Sequence, residues 1–117
     1  MQETENQSTL TPDGACVVFC TVPDTDSAGR IAGSLVEERL AACVNIVPGL
    51  VSVYRWEGAV QRDNEVLLLI KTTPGVYDRL EARIRALHPY ELPEIISVPI
   101  QTGQADYLQW IKNTLES

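Results

Sequence analysis

Apolar and polar positions along this chain change period several times, and each change marks a new element. Ala15-Cys16-Val17-Val18-Phe19-Cys20-Thr21 is a short run of apolar and β-branched residues, which predicts a first strand. Pro23-Asp24-Thr25-Asp26-Ser27 then supplies turn and capping chemistry. The spacing of Ala28, Ile31, Ala32, Leu35 and Val36 predicts a helix to about Arg39. Ala42 to Val47 reads as a second strand that resumes over Leu50 to Trp56 after a bend or bulge at Pro48-Gly49. Glu57-Gly58 is a tight turn, and the chain returns from Val60 through the apolar run Val66 to Ile70, so the two strands form one long hairpin.

Thr73-Pro74 has the form of a helix start, with Thr73 as cap and proline at the first helical position. Val76, Leu80, Ile84 and Leu87 fall on one face of that helix, and Pro89 ends it, leaving His88 at its last turn. Ile95 to Ile100 predicts a short strand, and Tyr107, Leu108, Ile111 and Leu115 a terminal helix. The order strand, helix, strand, strand, helix, strand matches the split βαβ arrangement of ferredoxin-like α+β domains, with one helix appended. Residues 15–117 form the expected single domain, preceded by a polar, disordered tail over residues 1–14.

The hairpin is too long for such a domain. About 15 residues of strand reach roughly 50 Å, whereas a compact domain of this size has a radius of gyration of about 13 Å. Overhanging strands carry unpaired backbone groups, and the tip holds Tyr54 and Trp56, so pairing with other copies of the chain is the expected cover.

Composition narrows the function. The 117 residues carry 16 acidic against 9 basic side chains, a net charge of −7, the wrong sign for nucleic acid or an anionic lipid surface. No stretch approaches the roughly 20 apolar residues of a membrane span, and Met1 to Gly14 does not read as a signal peptide, so a cytoplasmic protein is expected. Three cysteines, Cys16, Cys20 and Cys43, are an odd number in a chain large enough to fold without staples, which argues against a secreted disulfide framework. Cys16 and Cys20 lie about 13 Å apart along a strand, too far to share one metal unaided.

The single histidine, His88, opens the stretch His88-Pro89-Tyr90-Glu91-Leu92-Pro93-Glu94, where a helix ends and a rigid connector begins. Its imidazole is either a ligand or the hydrogen-bonded pin of that helix end. Glu91 and Glu94 are solvated charges or carboxylates that complete a cationic site. Lys71 and Thr72 beside a helix start could bind an anion, or Lys71 could pair with Glu57 or Glu94. Neither a nucleophile elbow nor a nucleotide-binding glycine pattern is present, so no enzyme is expected.

Several blocks, in this order, resemble the CutA family of divalent-cation tolerance proteins: Cys20-Thr21-Val22-Pro23-Asp24, Glu38 to Asn45, Val47-Pro48-Gly49, Tyr54-Arg55-Trp56-Glu57-Gly58, Lys71-Thr72-Thr73 and His88 to Glu94, with Tyr107 to Trp110 near the end. The resemblance implies a homotrimer of ferredoxin-like subunits arranged much as in PII signalling proteins. It also implies tolerance of copper or similar divalent ions, with copper carried by a cysteine of the Cys-Thr block and a His-His pair before Pro-Tyr. Carried over, these are Cys20, Leu87 and His88, so an apolar residue stands where the family pattern has its first histidine.

Two functions compete on this reading. In one, a cytoplasmic trimer binds a divalent metal ion such as copper with modest affinity through Cys20 and His88, contributing to metal homeostasis. In the other, a PII-like sensor trimer binds a small anionic effector in clefts between subunits. Tyr54, Trp56, Glu57, Lys71, Thr72, Tyr90, Glu91 and Glu94 are its candidate cleft or effector contacts.

Overall fold

Four strands and three helices follow the expected order in the computed structural model, which describes residues 14–115. Residues 1–13, and so nearly all of the expected tail, lie outside the described residues. Strand β1 (Cys16–Val22) leads to helix α1 (Thr25–Glu37), then β2 (Cys43–Trp56) and β3 (Ala59–Thr72), helix α2 (Tyr77–Leu87), β4 (Ile95–Pro99) and helix α3 (Ala105–Thr114). The strands form one antiparallel sheet in the order β2-β3-β1-β4.

Local chemistry sets the helix limits. Asp24 caps α1 by accepting the Ser27 N–H at 2.8 Å, and that hydrogen bond holds its carboxyl below the usual range. The helix ends at Glu37 and not at Arg39. Arg39 takes a left-handed conformation with φ of 61°, its N–H bonding Val36 and that of Leu40 bonding Leu35, the double bond of a Schellman ending. Thr73 departs from expectation too. Its side chain makes no cap, and the chain enters α2 through a 3₁₀ turn over Pro74–Val76.

Alternation along the strands divides the sheet into two faces. Val18, Cys20, Val22, Val66, Leu68 and Ile70 point into the core with Ala28, Ile31 and Leu35 of α1 and Leu80 and Ile84 of α2. Val76 leaves the helical face predicted for it and joins a second cluster with Ala15, Ala42, Ile111 and Leu115, which docks α3. The alternate positions Val17, Phe19, Leu67 and Leu69 are only half-buried, and Ile96 and Val98 beside them are exposed. An apolar sheet face is therefore left uncovered by α1 and α2.

The hairpin extends as its length demands. Val47 and Leu50 bracket a bulge, with Gly49 at φ of 87°, and pairing then continues to Trp56↔Ala59. Glu57 (φ 51°) and Gly58 (φ 82°) close the tip in left-handed conformations, the requirement of a type I′ turn. Because β1 meets β3 only over Val66–Thr72, residues 59–65 pair on one side alone, and the molecule measures 49 × 32 × 23 Å.

Candidate functional site

Cys20 and His88 come from elements that meet at the end of β1. Strand alternation turns Cys20 into the core, fully buried, with its thiol 3.8 Å from the Thr21 carbonyl oxygen. Burial, reinforced by Glu94 and Glu65, pushes that thiol up to about 12, so it stays protonated at neutral pH. His88 follows the last turn of α2, its N–H bonded to the Ile84 carbonyl at 2.8 Å, and its ring is buried. Ring Nδ1 accepts the Tyr90 backbone N–H at 3.1 Å, which requires the proton on Nε2, and Nε2 donates to the Thr21 oxygen at 2.7 Å.

Both ring nitrogens are thus occupied by backbone, and the thiol holds its proton. Among the described residues no group of three or more His, Cys, Asp or Glu side chains is arranged to hold a metal ion. Leu87, half-buried against the core, adds no donor. In this arrangement the Cys20 and His88 pair does not fit a closed metal site.

Beside this pair, the connector from Pro89 to Glu94 and the hairpin segment Ser52–Trp56 face each other across an open cleft of about 790 Å³. Glu65 is its buried carboxylate, and the Tyr90 hydroxyl donates to Glu65 Oε2 at 2.9 Å. Burial and that hydrogen bond raise the Tyr90 phenol well above its ordinary range. The Tyr54 hydroxyl donates to Asp63, which raises Tyr54 as well. His88 and Tyr90 rings lie 4.9 Å apart, so one chain of contacts runs from Thr21 through His88 and Tyr90 to Glu65.

Of the residues singled out from sequence, the cleft gathers Tyr54, Trp56, Tyr90, Glu91 and Glu94. Glu57 sits in the exposed hairpin turn outside the lining. Lys71 and Thr72 lie at the far end of β3, where Thr72 pairs with Cys16, whereas the cleft lies beyond the opposite end of β1, where Val22 pairs with Val66. Lys71 hydrogen-bonds Asn45, neither of its expected glutamate partners, and buried Thr72 donates to the Leu40 carbonyl at 2.8 Å. Within one protomer Lys71, Thr72 and Tyr90 do not form a common anion site. Glu65 was missed from sequence; its signal is a carboxylate abutting the apolar run from Val66, where β3 enters the core.

The profile of the family described as CutA1 divalent ion tolerance protein matches residues 16–114. The chain belongs to that family. It is 56% identical over 96 residues to the divalent-cation tolerance protein CutA of Thermus thermophilus, spanning 82% of this chain and 93% of that one. It is 50% identical over 108 residues to the chloroplastic protein CutA 1 of Oryza sativa, covering 92% of this chain and only 61% of the rice protein. The solved Thermus thermophilus Cut A1 structure superposes with a TM-score of 0.86 at 53% identity, over 87% of this chain and 99% of that one. Membership makes this chain a CutA divalent-cation tolerance protein.

Proposed function

We propose that this protein serves divalent-cation tolerance as a cytoplasmic homotrimer whose acidic cleft takes cations weakly and exchangeably. The observation that carries the reading is the charge of the cleft, where among the described residues Glu65, Glu91 and Glu94 face a single guanidinium, Arg55. Such a surface attracts cations and repels anionic effectors. Carboxylates suit divalent ions, but donors that do not converge on one point give modest affinity. Cys20 and His88 can join copper only if the connector lifts, freeing ring Nδ1 from the Tyr90 N–H.

The trimer is supported by the overhanging hairpin and by the apolar sheet face around Phe19, Leu69, Ile96 and Val98, both of which need cover. All three cysteines are free, which suits a reducing compartment. Calorimetric copper titration of the oligomer tests the site. The Glu91→Gln/Glu94→Gln variant is expected to lose at least fivefold in affinity and His88→Ala less than twofold; the reverse order would overturn the assignment to the cleft.

A further inference from the structure

The long hairpin leaves the sheet at a single level, where two breaks coincide. Val22↔Val66 is the last pair that β1 makes with β3, so from Glu65 outward β3 pairs with β2 alone. Opposite Val66 the register passes from Val47↔Leu67 to Leu50↔Glu65, which puts the Pro48-Gly49 bulge at that same level. A bulge bends its strand and sharpens the local twist, and Pro48 has no N–H with which to pair. Beyond it, Leu50 to Trp56 and Ala59 to Glu65 are a two-stranded ribbon, a unit of little stability by itself. That level is the hinge of the hairpin.

Glu65 is the first residue past the hinge, and it is buried although Arg62, Asp63 and Asn64 before it are exposed. A buried carboxylate needs a donor, and the Tyr90 hydroxyl supplies one at 2.9 Å. Tyr90 is itself held from behind. Its backbone N–H donates to His88 Nδ1 at 3.1 Å, its ring centre lies 4.9 Å from that of the imidazole, and His88 Nε2 donates to the Thr21 oxygen at 2.7 Å. Thr21 pairs with Leu67, on the sheet side of the hinge. A brace therefore starts on the four-stranded sheet at Thr21, runs through His88 and Tyr90 with Pro89 fixing the backbone between them, and ends across the hinge at Glu65.

We propose that Tyr90 is a positioning residue for the hairpin: its hydroxyl, bonded to Glu65, sets the angle at which the ribbon leaves the sheet and so presents it to neighbouring copies of the chain. The brace lies within one protomer, whereas its effect on assembly rests on the reading of the protein as a homotrimer.

Hydrogen exchange and sedimentation equilibrium of the full-length protein test this with three variants. Tyr90→Phe removes only the hydroxyl, Glu65→Leu removes the acceptor, and Glu65→Gln keeps an oxygen that accepts from the phenol. Tyr90→Phe and Glu65→Leu should speed exchange over residues 50–65 at least fivefold, leave α1 and β1 within twofold of the parent, and raise the dissociation constant of the oligomer at least tenfold. Glu65→Gln should stay within threefold of the parent in both measurements. Unchanged exchange over residues 50–65 in Tyr90→Phe, or exchange speeded equally in α1 and β1, overturns the proposal, as does a Glu65→Gln variant as impaired as Glu65→Leu. Faster exchange in the ribbon with an unchanged dissociation constant overturns the claim that the brace governs contacts between copies. A parent that sediments as a monomer contradicts the trimer reading and not the brace, which the exchange data then decide alone.

Discussion

The Nε2 of His88 lies 2.7 Å from the carbonyl oxygen of Thr21, so the chain's single histidine ties the end of α2 to the end of β1. The other ring nitrogen holds the Tyr90 amide, and Tyr90 reaches Glu65. The imidazole thereby fixes the connector that walls the cleft, a task that uses both of the lone-pair and proton positions a metal would need.

Removing that ring should loosen the connector before anything else. His88→Ala leaves the Tyr90 amide without its side-chain partner and the Thr21 carbonyl with only the weak Cys20 thiol donor, a cost of about 1–3 kcal/mol for each group that water does not reach. Hydrogen exchange is expected to show the Tyr90 amide losing protection at least tenfold. Unchanged protection would mean the latch carries no load.

The buried thiol gives a pH dependence with a definite sign. An unfolded chain ionises Cys20 near 9, whereas the folded chain holds it to about 12. Its contribution is complete below about 9 and is lost as pH rises toward 12, because the unfolded state releases the proton first. Burial raises Tyr77 to about 12 and raises Cys16, both with the same sign. Denaturant midpoints should hold steady to about pH 9 and fall above it, less steeply in Cys20→Ala. Iodoacetamide at neutral pH should label half-buried Cys43 well before Cys20.

The overhanging hairpin predicts dependence of the assembly on its tip. Val53 and Val60 are exposed by 60% and 65% on a ribbon that β1 does not reach. Val53→Lys/Val60→Lys should shift sedimentation toward monomer by at least tenfold in dissociation constant while circular dichroism is retained. A trimer of undiminished stability would place the contacts elsewhere.

Gly58 is required by conformation and not by space. A Cβ there meets no atom within 4 Å, yet φ is 82°. Gly58→Ala should therefore cost about 1–2 kcal/mol through backbone strain alone, read as a lowered denaturation midpoint with unchanged slope.

Much of this architecture was legible in the sequence because it rests on local signals. The apolar, β-branched run at Cys16 to Thr21, helical spacing from Ala28 to Val36 and the turn residues Glu57-Gly58 each act within a few positions. The Schellman ending at Arg39 was not legible, since it needs a left-handed residue where no glycine announces one. The cleft was half legible: His88 to Glu94 drew notice by composition, while Glu65 is brought against Tyr90 only by strand register and the path of the connector. The separation of Lys71 and Thr72 from Tyr90 likewise follows from which end of β1 each strand residue meets.

The central claim is that cations meet the carboxylates of the cleft and not a closed Cys20 and His88 pair. Electron paramagnetic resonance of bound copper(II) at one equivalent per chain tests it most directly. The expected spectrum shows an oxygen-dominated coordination sphere without nitrogen superhyperfine splitting, unchanged in His88→Ala. A spectrum with imidazole nitrogen and thiolate sulfur coordination, abolished in His88→Ala, would contradict it.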